Sequence, residues 1–185
     1  MRKLPGTTVS EPCERRSTIT FISFPKIPRF ENESIIITEK IDGTNAQIYI
    51  DIDGNIQSGS RNRWVTCESD NYGFASYVET IKYFFEGIRD FRIYGEWWGH
   101  GIQRGYGLTE KRFSPFYLPR GMEEKLPFTS VPILYHGEFK MNILDKIIQD
   151  LKENGSKAAP GFSRPEGVVI YAEQSKALWK IPFDK

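Results

Sequence analysis

The chain lacks most of the features that would place it outside the ordinary globular proteins. It has no run of about 18 apolar residues, so no segment reads as a membrane-spanning helix. Its N-terminus has no apolar h-region, so no secretory signal peptide is expected. There are two cysteines, Cys13 and Cys67, and their spacing does not suit a metal. Reduced thiols in a cytoplasmic setting are the simplest reading. There are two histidines, His100 and His136. No third ligand stands near either, which argues against zinc. Net charge is +1, from 25 basic and 24 acidic side chains. Any surface for nucleic acid must therefore be local rather than global. No internal repeat or low-complexity segment occurs.

What is present is a chain of 185 residues with 39% hydrophobic, 26% charged and 14% aromatic content. That is enough for one sizeable core, and the aromatics suggest stacking or dense packing. Residues 1–34 are polar and proline-interrupted, and read as an irregular segment of the same domain with one short strand, Ile19–Phe24. Further strands are expected at Ile35–Glu39, Ala46–Asp51, Ile56–Ser60, Arg92–Glu96, Phe113–Leu118, Val131–His136, Gly167–Tyr171 and Ala177–Ile181. Asp53-Gly54-Asn55 reads as a hairpin turn. Helical spacing of Phe74, Tyr77, Val78, Ile81 and Phe85 predicts a helix over Tyr72–Gly87. The stripe Ile143, Leu144, Ile147, Ile148 and Leu151 predicts a second over Asn142–Asn154. A loop holding five glycines between Gly95 and Gly107 follows the Arg92–Glu96 strand. Many strands and two helices, without regular alternation, indicate an α+β fold with antiparallel sheets.

Five polar clusters fall at or just beyond expected strand ends. They are Lys40-x-Asp42-Gly43, Ser60-Arg61-x-Arg63, Gly95-Glu96, Glu166-Gly167 and Lys180. Each alone is commonly a turn or a solvated face. Together they supply an amine, cations and carboxylates. An amine that attacks a phosphorus needs that set, because charge on the phosphate oxygens must be neutralised. Trp97 and Trp98 fit burial beside a sheet better than exposed stacking. Lys111-Arg112 and Arg120 are too few cations to define a phosphate track.

The order and wording of these clusters resemble the covalent nucleotidyltransferase superfamily of polynucleotide ligases and capping enzymes. Gly43-Thr44-Asn45, Ser58-Gly59-Ser60-Arg61-Asn62-Arg63 and Gly95-Glu96-Trp97-Trp98-Gly99-His100-Gly101-Ile102-Gln103 resemble its RNA ligase branch, of the phage RNA ligase 2 type. The resemblance runs from about Ile35 to Lys185. It implies two antiparallel sheets around a nucleotide cleft, flanked by helices, with residues 35–185 as the adenylyltransferase domain. It also implies an ATP-dependent RNA ligase acting in RNA repair, with Mg²⁺ or Mn²⁺. Lys40 would become lysyl-AMP. The adenylyl group would pass to a 5′-phosphate, and a 3′-hydroxyl would then seal the strand.

The same resemblance suggests the other roles. Lys180 would contact the α-phosphate, Glu166 the metal, and Glu96 the ribose. Arg61 would lie near the ribose and strand end. The backbone of Glu39, with Asn45, would fix the nucleotide, and Asp42-Gly43 would form the turn after the lysine. Motif order makes Phe113 the aromatic over adenine, with Phe116 second. The last motif often has a second lysine, where this chain has Pro182. Lys176 or Lys185 would substitute, or one lysine would suffice. No separate C-terminal domain is expected. The expectation is a minimal enzyme, a fragment, or an enzyme relying on a helper domain or protein. RNA ends are the expected partner, with DNA or RNA/DNA nicks the alternative and no membrane. A minimal DNA ligase, a capping guanylyltransferase using GTP, and a non-catalytic module that binds nucleic-acid ends are the rival readings.

Overall fold

Side-chain alternation decides how the chain is laid down. The computed structural model describes residues 33–183. The strand expected at Ile19–Phe24 lies outside the described residues. In chain order the strands are β1 (Ser34–Lys40), β2 (Thr44–Ile50), β3 (Ile56–Ser60), β4 (Trp64–Val65), β5 (Phe91–Gly99), β6 (Lys111–Pro115), β7 (Ile133–Glu138), β8 (Gly167–Ala172) and β9 (Leu178–Pro182). The helices are α1 (Phe74–Ile81), which a 3-10 turn (Lys82–Phe85) extends, and α2 (Met141–Asn154). The strands form two antiparallel sheets, ordered β7-β1-β8-β9 and β4-β3-β2-β5-β6.

Each helix covers one face of one sheet. Ile35 and Ile37 of β1, with Val168 and Ile170 of β8, pack against Leu144 and Leu151 of α2. Ile48, Ile93, Trp97 and Phe113 of the five-stranded sheet pack against Phe74 and Val78 of α1. A third cluster of Ile41, Trp98, Tyr106, Val131 and Ala159 lies where β1 gives way to β2. A period of two leaves the opposite face of each sheet for polar residues.

Several boundaries differ from the sequence expectation, each for a local reason. Gly73 (φ 80°) starts α1 later than Tyr72, and its last turn tightens to 3-10 geometry. β5 runs on through Trp97, Trp98 and Gly99 because these pair with Phe113, Arg112 and Lys111 of β6. The glycine-rich loop therefore begins after Gly99. β6 ends at Pro115 rather than Leu118. β4 is two residues long and gives no periodic signal.

The turn between the sheets is tightly packed. A Cβ on Gly43 would stand 2.5 Å from the Trp97 carbonyl oxygen and 2.7 Å from Trp98 Cβ. Glycine is needed there because β5 passes directly beneath the turn. Gly43→Ala is expected to destabilise the fold by about 1–3 kcal/mol, the usual cost of overpacking. Denaturant unfolding checks this, and an unchanged midpoint would show that the turn has room.

Candidate functional site

Lys40 is the last residue of β1. Ile35, Ile37 and Glu39 point inward, so Lys40 must point to the open face with Ile36 and Thr38. Its cross-strand neighbour is Gly167, the first residue of β8, and Glu166 precedes it. Lys40 Nζ lies 2.5 Å from Glu166 Oε1, and both side chains are largely shielded from solvent. The other oxygen, Glu166 Oε2, is buried with no hydrogen-bond partner. Buried carboxylate oxygens are normally satisfied, so this atom is an acceptor left without a donor.

The facing wall comes from β2 and β5. Asn45 pairs with Glu96, so both project from the face opposite α1. Glu96 Oε1 accepts from the Gly43 N–H at 3.1 Å, and Oε2 accepts from Asn45 Nδ2 at 3.4 Å. Arg61 Nε donates to Asn45 Oδ1 at 2.9 Å. Burial pushes the Glu96 carboxyl up to about 7, against the opposing pull of Lys40 and the Gly43 N–H; Glu166 and Asp42 push it further up. Lys180 pairs with Val169 on the open face of the first sheet, one row along from Lys40 and Gly167.

Not every expected residue joins this group. Phe113 is 3% exposed and packs on Phe74 and Phe128, on the α1 side of the sheet. It pairs with Trp97, not Glu96, so the strand's alternation turns it away from the site. The expectation of Phe113 over adenine is therefore corrected: its ring is a core element. Phe116 is 46% exposed, and its N–H donates to the Tyr94 carbonyl, one row beyond Glu96. Lys176 sits in the β8–β9 turn over the Tyr171 ring, at the end of the hairpin away from Gly167. It cannot replace a lysine at 182. Pro182 pairs with Gly167, so the missing charge belongs to the Lys40 row. Lys185 lies outside the described residues.

The RNA ligase family model matches residues 33–182. The chain belongs to the RNA ligase family. Solved structures of a Naegleria gruberi RNA ligase share the fold. An apo mutant matches with a TM-score of 0.62 at 20% identity, covering 83% of this chain and 50% of that one. A mutant with ATP and Mn matches with a TM-score of 0.62 at 19% identity, covering 88% and 56%. The form with PPi matches with a TM-score of 0.59 at 20% identity, covering 83% and 50%. The chain thus spans about half the length of these ligases. No curated protein matches it at a significant level.

Three supports of this region escaped the sequence reading. Glu39 is 1% exposed, and its carboxylate accepts from Ser156 Oγ (2.6 Å), Lys157 N (2.8 Å) and Ala158 N (2.9 Å). Its side chain therefore anchors the loop after α2, and its N–H donates to the Pro132 carbonyl. Arg104 Nε donates to Asp42 Oδ2 at 2.9 Å, and its Nη1 donates to the Arg164 carbonyl at 3.1 Å. The Asp42 N–H donates to Tyr106 Oη at 2.8 Å. Burial raises the Tyr106 phenol well above its ordinary range. Arg104 and Tyr106 thus tie the turn after Lys40 to the segment leading to Glu166. The glycines at 99, 101, 105 and 107 were the one available signal that this loop was shaped.

Two outcomes follow. Glu39→Ala would leave one hydroxyl and two amide donors unsatisfied, so a loss of more than about 3 kcal/mol is expected; calorimetry checks it. A rise in the Glu96 pKa from 4.5 to about 7 means that ionising it opposes folding. The folded state holds the proton more tightly, so stability falls as pH rises from 4.5 through 7. The full penalty, about 3 kcal/mol, is present above pH 7. Glu96→Gln is expected to melt higher than wild type at pH 8 and to lose that advantage near pH 4.5. Parallel melting curves across that range would show that Glu96 does not titrate in this way.

Proposed function

We propose that this chain is the adenylyl-transfer domain of an ATP-dependent RNA ligase. The observation that carries this reading is the Lys40–Glu166 pair, facing Glu96 and Asn45 across the junction of the two sheets. Lys40 Nζ attacks the α-phosphorus of ATP. The N–P bond forms, the bond to pyrophosphate breaks, and the amine proton is released. Lysyl-AMP then gives its adenylyl group to the 5′-phosphate of an RNA end. A 3′-hydroxyl attacks that activated end and AMP leaves.

The residues present fit this sequence of steps. Lys180 and Arg61 supply positive charge on either side of Lys40 for the phosphate oxygens. Glu96 and Asn45 present acceptors and a donor to the ribose. Phe116, exposed one row beyond Glu96, is better positioned than Phe113 to cover adenine. The unpartnered Glu166 Oε2 suits one inner position of Mg²⁺, which prefers oxygen and keeps several waters. Among the described residues no group of three ligating side chains forms a closed metal cage. Glu166 would hold such an ion, which would supply positive charge for the phosphate oxygens when bound. No helix among the described residues is long and apolar enough to cross a membrane.

The test is to incubate the protein with α-labelled ATP and Mg²⁺ and to look for covalent label on the polypeptide that survives alkali and is released by acid, as an N–P bond requires. Label is expected on the wild type, with transfer to 5′-phosphorylated RNA, and none on Lys40→Ala. Labelling of that variant would remove Lys40 from its role, and label from GTP alone would favour a capping reaction. Glu166→Ala is expected to lower Mg²⁺-dependent labelling at least about a hundredfold, the scale of losing an electrostatic or metal contact, with little change in melting temperature.

A further inference from the structure

The face of the five-stranded sheet that carries Glu96 does not end there. The next row away from the site comprises Trp64, Gly59, Gln47 and Tyr94 across β4, β3, β2 and β5. The row after that comprises Gln57, Tyr49 and Arg92. Trp64 is 47% and Tyr94 55% exposed. Large aromatics on a sheet face normally find cover, and these two have solvent instead.

Arg92 organises the surface. Its guanidinium lies 4.2 Å from the Tyr49 ring centre, 5.5 Å from Trp64 and 6.0 Å from Tyr94. Its Nη1 donates to Gln47 Oε1 at 2.6 Å, and Gln47 Nε2 donates to the Ser60 carbonyl at 3.3 Å. Gly59 leaves the centre of the row flat: a Cβ there would press on the Gln47 side chain. The result is a shallow platform of two rings flanking one cation. The two rows contain no carboxylate. Arg61, hydrogen-bonded to Asn45, joins the platform to the Lys40 site.

We propose that Trp64, Arg92 and Tyr94 form a stacking platform for unpaired bases of the RNA strand that is being joined. This rests on the ligase reading for the identity of the strand, and it adds a binding surface to that reading. Three points select RNA over other occupants. The surface is continuous with the proposed site through Arg61. The one charge within its two rows is the Arg92 cation, which suits a polyanion. Its exposed groups are π faces and a guanidinium, which accept any base and impose little sequence preference.

The test measures binding of a short 5′-phosphorylated oligouridylate to the full chain by fluorescence anisotropy, with melting curves as a fold control. Trp64→Ala and Tyr94→Ala are each expected to weaken binding about tenfold, and Trp64→Phe to stay within about threefold of wild type, as stacking requires a ring rather than an indole. If Trp64→Ala fails to fold, Tyr94→Ala carries the test, because its side chain is more than half exposed. Unchanged affinity in folded alanine variants overturns the proposal. So does a wild-type chain that ignores RNA. The wild type's own labelling by ATP is read separately. Label with unaltered RNA affinity in the variants sinks the platform and keeps the ligase. Weakened RNA binding without label in the wild type keeps the platform and sinks the ligase.

Discussion

The alternation of side chains along β1 governs where the chemistry sits, because two charged residues stand next to each other at its end. Glu39 shares the inward face with Ile35 and Ile37, and Lys40 takes the outward one. A carboxylate turned into a core is costly unless its oxygens are fully engaged. The loop after α2 engages them with one hydroxyl and two backbone N–H groups. That anchor fixes the register of β1 at its last residue. A slip by one position would bury the lysine and expose the carboxylate, so the placement is all or none.

The second determinant is the balance of charge around the amine. Glu166 and Glu96 approach it from different sheets, and the Glu166 charge adds to the upward push on Glu96. Burial pushes Glu96 towards neutrality, while Glu166 keeps one oxygen on Lys40 and one without a partner. Such a site is unfinished as a structural ion pair. A buried pair that served stability alone would have both oxygens satisfied. An open acceptor beside an amine, in the mouth between two sheets, is better explained by a ligand that completes the set.

Much of this was legible in the sequence. Period-two runs gave most strands, and a helical stripe gave α2 almost to the residue. The clusters at 40–43, 61 and 166 fall at strand ends, whereas Glu96 and Lys180 lie within β5 and β9 and reach the same region through sheet pairing. What failed was parity. Phe113 looked right by motif order, but its partner across the ladder is Trp97, and one residue of register decides whether a ring faces a ligand or a helix. The long-range supports were hidden for a different reason. Arg104, Tyr106 and Ser156 lie 62, 64 and 117 residues from the groups they hold, and no local pattern encodes a contact at that separation.

Pro182 has a physical consequence beyond a departure from the family's pattern. It sits across from Gly167, in the row of Lys40, and the strands crowd there: a Cβ on Gly167 would meet the Ile181 carbonyl oxygen and Pro182 Cα. Proline suits this position because β9 is an edge strand and an edge tolerates a missing donor. A lysine at 182 would add a cation beside Lys40 and would compete for Glu166. With proline there, Glu166 answers to Lys40 alone, and Lys180 is the one basic residue of β9. The Lys40 row therefore carries one fixed cation where a lysine at 182 would have made two. The unpartnered Oε2 and the proline opposite its neighbour are thus two sides of one arrangement.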